Sequence, residues 1–211
     1  MSDFDVAALS RFLTIFADRL HERRDELTQL DSAIGDADHG INMDRGFSAV
    51  RGKLADLGDA DLGATAKTVG MTLISTVGGA SGPLYGTFFL RLATALGDRS
   101  TVSGAELGEA LRAALEGVRQ RGKAELDDKT MVDALAPAVD AYDAAVAEGI
   151  GAALDAASAA AASGRDRVTP LVARKGRASY LGERAKGHQD PGATSTTILF
   201  ESLRDAVAQG S

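Results

Sequence analysis

Apolar residues recur every three or four positions along most of the chain, which is the spacing of one face of an α-helix. No segment shows the alternation of apolar and polar residues that a half-buried strand requires. The predicted fold class is therefore all-α. The pattern indicates about eight helices with short connections, over residues 5–28, 43–56, 62–77, 84–96, 103–121, from 131 onward, 149–175 with a bend near Pro170, and 195–208.

Local signals mark two of the predicted helix starts, and the apolar faces together predict one core. Asp59 and Asp61 are candidate caps for the third helix, and Ser103 with Glu106 has the spacing of a capping box at the fifth. Helices with an apolar face pack around a shared interior. The residues expected in that core are Phe12, Phe16, Phe47, Val50, Leu73, Phe88, Leu111, Leu115 and Ile198.

The connections that are rich in polar residues or glycine follow the first, third, fifth and seventh predicted helices. They comprise residues 31–47, 78–87, 122–130 and 187–194. In an up-and-down array of helices, alternate connections lie at the same end. The sequence therefore predicts that these loops converge on one rim and form one site.

Composition narrows the range of functions. At 211 residues, the chain is long enough for one domain, or a compact pair, with a substantial core. A net charge of −7 gives no electrostatic reason to bind nucleic acid, and the absence of cysteine excludes disulfides and thiolate metal sites. Neither a signal peptide nor an apolar run of roughly 18 residues is found. These features predict a cytoplasmic protein with no membrane interaction.

The strongest chemical signal lies in residues 31–47. Asp31, Asp36 and Asp38 fall within eight positions and are followed by His39 and Asn42. Oxygen ligands on a short loop with glycine suit Mg²⁺. The spacing does not fit one helical face, so we expect the loop to bring the three carboxylates together. The alternative is two helix caps and a polar turn.

Residues 78–87 are small, contain four glycines and open a helix with Pro83 in its first turn. Backbone N–H groups at such a place bind anions, although the glycines would equally allow close helix packing. Carboxylates and a glycine-rich helix start at one rim suit a magnesium-bound polyphosphate. Two Mg²⁺ ions would then neutralise its charge and align phosphoryl transfer. Arg177 is the candidate for stabilising charge in the transition state.

Four motifs, in this order along the chain, resemble subunit L of dihydroxyacetone kinase, the nucleotide-binding half of that enzyme. They are Asp31-x₄-Asp36-x-Asp38-His39-Gly40-x-Asn42-Met43, the glycine-rich stretch 78–86, the stretch 176–181 around Arg177, and residues 187–193. The resemblance covers essentially the whole chain. It implies one domain over residues 1–211, folded as an eight-helix antiparallel closed barrel with the nucleotide at one end.

The resemblance also implies the ligands and their contacts. Asp31, Asp36 and Asp38 would hold two Mg²⁺ ions that bridge the phosphates of ADP or ATP. The expected nucleotide contacts are His39, Gly40, Ile41, Asn42, Ala80, Ser81, Gly122, Met131, Arg177, Asp190, Pro191 and Gly192. Because Mg²⁺ favours oxygen ligands, His39 and His188 are expected to hydrogen-bond within the site rather than to bind metal.

Two functional arrangements fit the resemblance equally, and both need a separate K subunit that holds dihydroxyacetone. In the first, bound ADP is a coenzyme that a phosphohistidine phosphocarrier, the M subunit, rephosphorylates at the expense of phosphoenolpyruvate. In the second, ATP is a direct donor and the acceptor is dihydroxyacetone or another ketose such as a tetrulose. A third possibility, of another class, is a nucleotide-binding regulatory module. A homodimer is expected in each case.

Overall fold

The computed structural model describes residues 3–58 and 60–210, and in these ranges the protein is predominantly helical with almost no sheet. The all-α class predicted from the sequence is confirmed. The one sheet found there pairs β1 (Phe4–Asp5) with β2 (Thr101–Val102) in antiparallel register. The helices are α1 (Val6–Glu22), α2 (Arg24–Ile34), α3 (His39–Leu54), α4 (Leu62–Thr76), α5 (Ser81–Leu96), α6 (Gly104–Gly122), α7 (Val132–Ala145), α8 (Ile150–Val168) and α9 (Pro191–Ala208), with 3₁₀ segments at Val146–Glu148 and Arg177–Ala185.

Eight of these helices form a closed ring. Helix α1 packs against α3, each helix from α3 to α8 packs against the next one along the chain, and α9 returns to α1. The short α2 links α1 to α3 and packs against α3 and α9. The starts of α3, α5, α7 and α9 line one cavity, as expected when successive helices of the ring alternate in direction.

The first predicted helix is divided in two by a change of direction at Arg23, whose φ of −99° and ψ of 14° are not helical. The second part, α2, then continues to Ile34, six residues beyond the predicted end. This turn lets α2 bury Leu27, Asp31 and Ile34 on one side. Asp31 therefore lies on the last turn of a helix, and only residues 35–38 form the loop that sequence analysis placed around all three carboxylates.

Helix α8 ends at Val168, before Pro170, and so is shorter than the helix predicted over residues 149–175. Thr169 keeps helical φ and ψ, but Pro170 has no backbone N–H to donate and its ring clashes with the carbonyl four residues earlier, which explains the stop. Residues 169–187, called the cover segment below, form an irregular excursion that contains the 3₁₀ segment at Arg177–Ala185. The N–H of Gly187 donates to the carbonyl of Thr169 at 2.9 Å, which joins the two ends of the excursion.

The core fills the ring, and every residue predicted to lie in it is buried. Its centre is aromatic: the ring centroids of Phe16 and Phe47 lie 4.6 Å apart, and Phe47 also packs edge-on against Tyr85 and Phe89. The predicted capping box of Ser103 and Glu106 is present at α6, and Asp61 caps α4. The alternative cap, Asp59, lies outside the described residues. No helix of the described chain has the length and hydrophobicity that crossing a bilayer requires.

Candidate functional site

A cavity of about 340 Å³ opens at the end of the ring where the starts of α3, α5, α7 and α9 meet. Its apolar wall is formed by Ile34, Leu84, Val118, Met131 and Pro191, and its polar side by groups that include Asp31, Ser81, Thr130 and Arg177. This volume falls in the lower range for small-molecule sites. Apolar walls with a few convergent polar groups suit a planar base joined to a charged tail.

The structure brings the three predicted carboxylates together. One oxygen from each of Asp31, Asp36 and Asp38 lies within 4.8 Å of the others. Asp31 uses its Oδ2 atom to accept the backbone N–H groups of Asp38 at 2.8 Å and His39 at 3.1 Å, which fixes the loop to the end of α2. A Cβ atom at Gly35 would lie 1.9 Å from Asp31 Oδ1, so this turn leaves no room for a side chain.

Arg177 of the cover segment reaches the same cluster. Its Nε atom lies 2.9 Å from Oδ2 of Asp36, and both side chains are accessible to solvent. Three carboxylates at this spacing repel one another unless positive charge lies among them. A single guanidinium offsets only part of that charge. Oxygen ligands close enough to share an ion fit Mg²⁺, which takes carboxylates and phosphate oxygens together.

The start of α5 lies beside the carboxylates. Its cap residue, Ala80, has no side-chain oxygen to accept the N–H groups of the first turn, so these remain available to an anion. Gly79 turns the chain with φ of 63°, and a Cβ atom there would lie 3.9 Å from Asp38 Oδ2. A phosphate bound at this helix start would therefore lie next to the acidic cluster.

His39 is buried at the base of the site and uses both ring nitrogens. Its Nδ1 atom lies 2.9 Å from Ser81 Oγ, and its Nε2 atom lies 2.9 Å from Ser195 Oγ. Ser195 also bonds the hydroxyl of Tyr85 at 2.8 Å. Burial lowers the pKa of His39 to about 4, and the nearby Asp31 only partly opposes this change. His39 is thus a neutral hydrogen-bonding residue that links α3, α5 and α9.

Asp190 begins α9 and is enclosed by the cavity wall. Its Oδ2 atom accepts the N–H of Ala193 at 2.7 Å, as a helix cap does. Burial raises the pKa of Asp190 to about 7. The hydrogen bond from the N–H of Ala193 and the positive charge of Lys129 lower this pKa, whereas the negative charges of Asp133 and Asp31 raise it further. A carboxyl group so perturbed inside a cavity is typical of a functional site.

Most of the predicted nucleotide contacts line the cavity: His39, Ala80, Ser81, Gly122, Met131, Arg177, Asp190, Pro191 and Gly192. Three others are not among its lining residues. Gly40 allows α3 to approach α2, because a Cβ there would lie 2.0 Å from the Arg24 carbonyl oxygen. Asn42 packs beneath Gly78, and Ile41 is exposed. Their contact with a nucleotide stays a prediction.

The two motif histidines differ. His39 hydrogen-bonds within the site as expected, whereas His188 is exposed and does not line the cavity. Sequence reasoning also gave no role to Tyr85, Ser195 or Lys129, although all three are buried at or beside the site. Sequence analysis places Lys129 only within the polar connection 122–130. A lysine two residues before a predicted helix start, in a connection expected at the site, is the signal available for it.

A family model described as the DAK2 domain matches residues 33–205. The ADP-binding subunit DhaL of the PEP-dependent dihydroxyacetone kinase of Escherichia coli (strain K12) is 48% identical over 94% of this chain and 95% of its own length. The L-erythrulose 1-kinase of Mycolicibacterium smegmatis is 32% identical over 97% of this chain, but only 35% of its own length is matched.

The fold is also similar to a solved kinase. The dihydroxyacetone kinase from C. freundii, in complex with AMP-PNP and Mg²⁺, matches with a TM-score of 0.75 and 26% identity. The match covers 97% of this chain and 35% of that one, so the present chain spans about a third of the larger kinase. The family match and the similarity along nearly the full length of DhaL show that this chain belongs to the DAK2 domain family and, within it, to the DhaL subunits.

Proposed function

We propose that this chain is the nucleotide-binding subunit of a dihydroxyacetone kinase. It holds ADP with Mg²⁺, and a phosphoryl group passes through that nucleotide to dihydroxyacetone bound on a separate K subunit. Residues 1–211 act as one domain in this role. One observation carries the proposal: the acidic cluster, the uncapped start of α5 and the apolar cavity lie next to one another around Asp31.

Each part of the site has a distinct task in this proposal. The apolar wall, with Gly122 and Met131, holds the base, and the N–H groups in the first turn of α5 donate to phosphate oxygens. Asp31, Asp36 and Asp38 would hold the magnesium, which supplies charge neutralisation when bound. His39 fixes Ser81 at the helix start, and Arg177 offers a movable positive charge that is already within reach of the cluster.

We propose two ions rather than one, because three clustered aspartates offer more oxygen ligands than a single octahedral Mg²⁺ with bound phosphates requires. One Asp31 oxygen is already engaged by backbone N–H groups and Oδ2 of Asp36 pairs with Arg177, whereas Asp31 Oδ1, Asp36 Oδ1 and the Asp38 carboxylate remain available for metal. Magnesium titration of the ADP complex by calorimetry would give the number of ions directly.

The ketose acceptor arrives on a partner. The cavity and acidic cluster are taken up by nucleotide and metal in this proposal, and the rim around them is exposed. Three large apolar side chains, Tyr180, Ile41 and Leu126, are solvent-accessible and each lies within three residues of a cavity-lining residue. Such side chains suit a protein interface. We propose that they contact the K subunit, which would exclude water and align acceptor and phosphate.

The phosphoryl donor separates the two leading versions. The similarity to subunits named as PEP-dependent, at 41–48% identity over nearly their whole length, supports ADP as a bound coenzyme that an M-type phosphocarrier rephosphorylates. The weaker similarity to erythrulose kinases supports the alternative of ATP as direct donor and a tetrulose as acceptor. A regulatory module, a homodimer and a cytoplasmic location stay predictions from the sequence.

Reconstitution tests the proposal. Purified chain with Mg²⁺ and dihydroxyacetone is assayed for dihydroxyacetone phosphate with a K subunit and either the phosphoenolpyruvate-dependent phosphocarriers or ATP. We expect turnover only when the K subunit is present, and faster turnover with the phosphocarriers than with ATP. Turnover by the chain without a K subunit, at the rate seen with it, would contradict the proposal. The proposal would also be contradicted if the complete mixture showed no turnover with the phosphocarriers and none with ATP.

A further inference from the structure

Lys129 is a buried cation that the proposed mechanism does not use. The residue is 1% exposed, and its ammonium donates to the backbone carbonyls of Thr169 at 2.8 Å, Leu171 at 3.0 Å and Ala185 at 2.6 Å. An ammonium has three donors, so these carbonyls replace its hydration completely. All three acceptors lie in the cover segment, 40 to 56 residues further along the chain.

The loop that carries Lys129 is shaped to present it. The backbone of Lys129 is left-handed, with φ of 63°, a conformation that residues other than glycine rarely adopt. The buried carboxylate of Asp133 accepts the N–H groups of Asp127 at 2.6 Å and Thr130 at 2.8 Å, one on each side of Lys129. Asp133 of α7 therefore fixes the loop, and Lys129 of the loop binds the cover segment.

The cover segment has little internal structure of its own. Its 3₁₀ turns are interrupted at Gly182, where φ is 55° and ψ is −129°. A small cluster of Ala173, Ala178, Ala185 and Leu181 packs on Ile34 of α2, apart from the main core. Alanine side chains bury little apolar area. The bonds from the buried ammonium of Lys129 to three carbonyls are thus a major connection between the cover segment and the rest of the protein.

The segment bears the residue that completes the site. Residues 175–178 line the cavity, and Arg177 reaches Asp36 from the segment's first 3₁₀ turn. We infer that Lys129 is a positioning residue for Arg177: by binding three carbonyls of the cover segment, it fixes where that segment lies over the nucleotide site. This inference rests on the proposed function for its kinetic consequence, but its structural consequence is independent of it.

Removing the ammonium takes a hydrogen-bond donor from each of the three carbonyls, of which Thr169 still accepts the N–H of Gly187, so the segment has reason to detach and bind water instead. Lys129→Met keeps an unbranched apolar stem and removes the ammonium, with its charge and its three donors. The matched control is Lys186→Met, which removes an exposed lysine of the same segment that pairs only at the surface, with Glu183. Surface pairs of this kind contribute little.

The first measurement is amide hydrogen exchange on the isolated chain. In Lys129→Met, we expect exchange to accelerate at least tenfold over residues 170–187 and to stay unchanged in α1 and α9, whereas Lys186→Met should resemble the natural chain. Unchanged exchange in the cover segment of Lys129→Met would overturn the inference. This result does not depend on whether the chain is a kinase subunit.

The second measurement is a double-mutant cycle with Arg177→Ala in the reconstituted transfer to dihydroxyacetone. If Lys129 acts through Arg177, Lys129→Met lowers kcat at least tenfold, and the double variant is no slower than Arg177→Ala alone. If the losses of kcat in the two single variants multiply in the double variant, or if Lys129→Met leaves kcat unchanged, the inference is overturned. The activity of the natural chain would still support the proposed function in that case. Should Lys129→Met fail to fold, Lys129→Gln, which keeps two donors, enters the same cycle under the same criteria.

Discussion

The aromatic core and the acidic rim of this protein are stabilised in different ways. In the core, Phe47 contacts Phe16, Tyr85 and Phe89, and no single contact is decisive because the attraction is non-directional. At the rim, the position of the loop depends on a few directed bonds, such as those from Asp31 to two N–H groups. The core therefore determines stability, whereas the rim determines what the protein binds.

The rim also contains interactions that oppose folding. Three neighbouring carboxylates and the buried carboxyl of Asp190 raise the energy of the free protein. Active sites commonly reduce stability in this way, and a bound ligand restores it by mass action. The comparison predicts that core variants lose stability with little effect on ligand affinity, and that variants of the acidic cluster lose ligand affinity without a comparable loss of stability.

The largest effect on stability is expected for Phe47→Ala. This change leaves a cavity between three other aromatic rings, and phenylalanine truncations of this kind cost about 3–5 kcal/mol. Unfolding in urea would measure the loss, with Mg²⁺–ADP affinity determined below the transition. A loss of unfolding free energy under about 1 kcal/mol, or a large change in the Mg²⁺–ADP affinity of the folded variant, would contradict the distinction between core and rim.

Ser195→Ala tests the boundary between the two regions. Its hydroxyl joins His39 to Tyr85, and its removal leaves two buried polar groups each short of a partner, at a cost of about 1–3 kcal/mol. Ser202→Ala is the matched control, since that hydroxyl donates to the carbonyl of Ile198 in its own helix and otherwise accepts a long bond of 3.4 Å from Arg19. Equal losses in the two variants, measured by denaturant unfolding, would argue against a special role for the His39 network.

Asp190→Asn should change how stability depends on pH. Because the folded pKa of Asp190 is raised to about 7, above its usual value near 4, the folded state binds the proton more tightly than the unfolded chain. Asp190 therefore favours folding at low pH, and this contribution is lost as pH rises through 7. The natural chain should gain stability over Asp190→Asn by about 1 kcal/mol per unit as pH falls from 7 to 4. A constant difference in unfolding free energy would contradict the assignment.

Tyr180→Ala should leave stability and nucleotide affinity unchanged, because the side chain is 87% exposed. We expect weaker binding of the K subunit, by about tenfold, if this tyrosine anchors the interface. Met71→Ala on α4 is the control, as Met71 is also exposed but lies away from the cavity-lining segments. Equal K-subunit affinity of the natural chain and Tyr180→Ala, measured by calorimetry, would remove Tyr180 from the proposed interface.

Sequence analysis predicted the core better than the rim for a physical reason. A helical stripe of apolar residues is a local pattern, so residues such as Phe12 and Leu115 were assigned correctly. The convergence of the loops was also predictable, since it follows from helix alternation. The turn at Arg23 and the burial of Lys129 were missed, because each depends on contacts with residues distant in the chain, whereas the end of α8 before Pro170 has a local cause that was interpreted as a bend.

The central claim is that Asp31, Asp36 and Asp38 make nucleotide binding dependent on magnesium. Calorimetric titration of ADP into the natural chain, Asp36→Asn and the control Asp44→Asn, each with Mg²⁺ and with EDTA, tests it most directly. Asp44 is an aspartate of α3 that pairs with His21 rather than with the cluster. We predict tight binding only with Mg²⁺, at least tenfold weaker in Asp36→Asn and unchanged in Asp44→Asn. Equally tight binding in EDTA, unaffected by Asp36→Asn, would contradict the account.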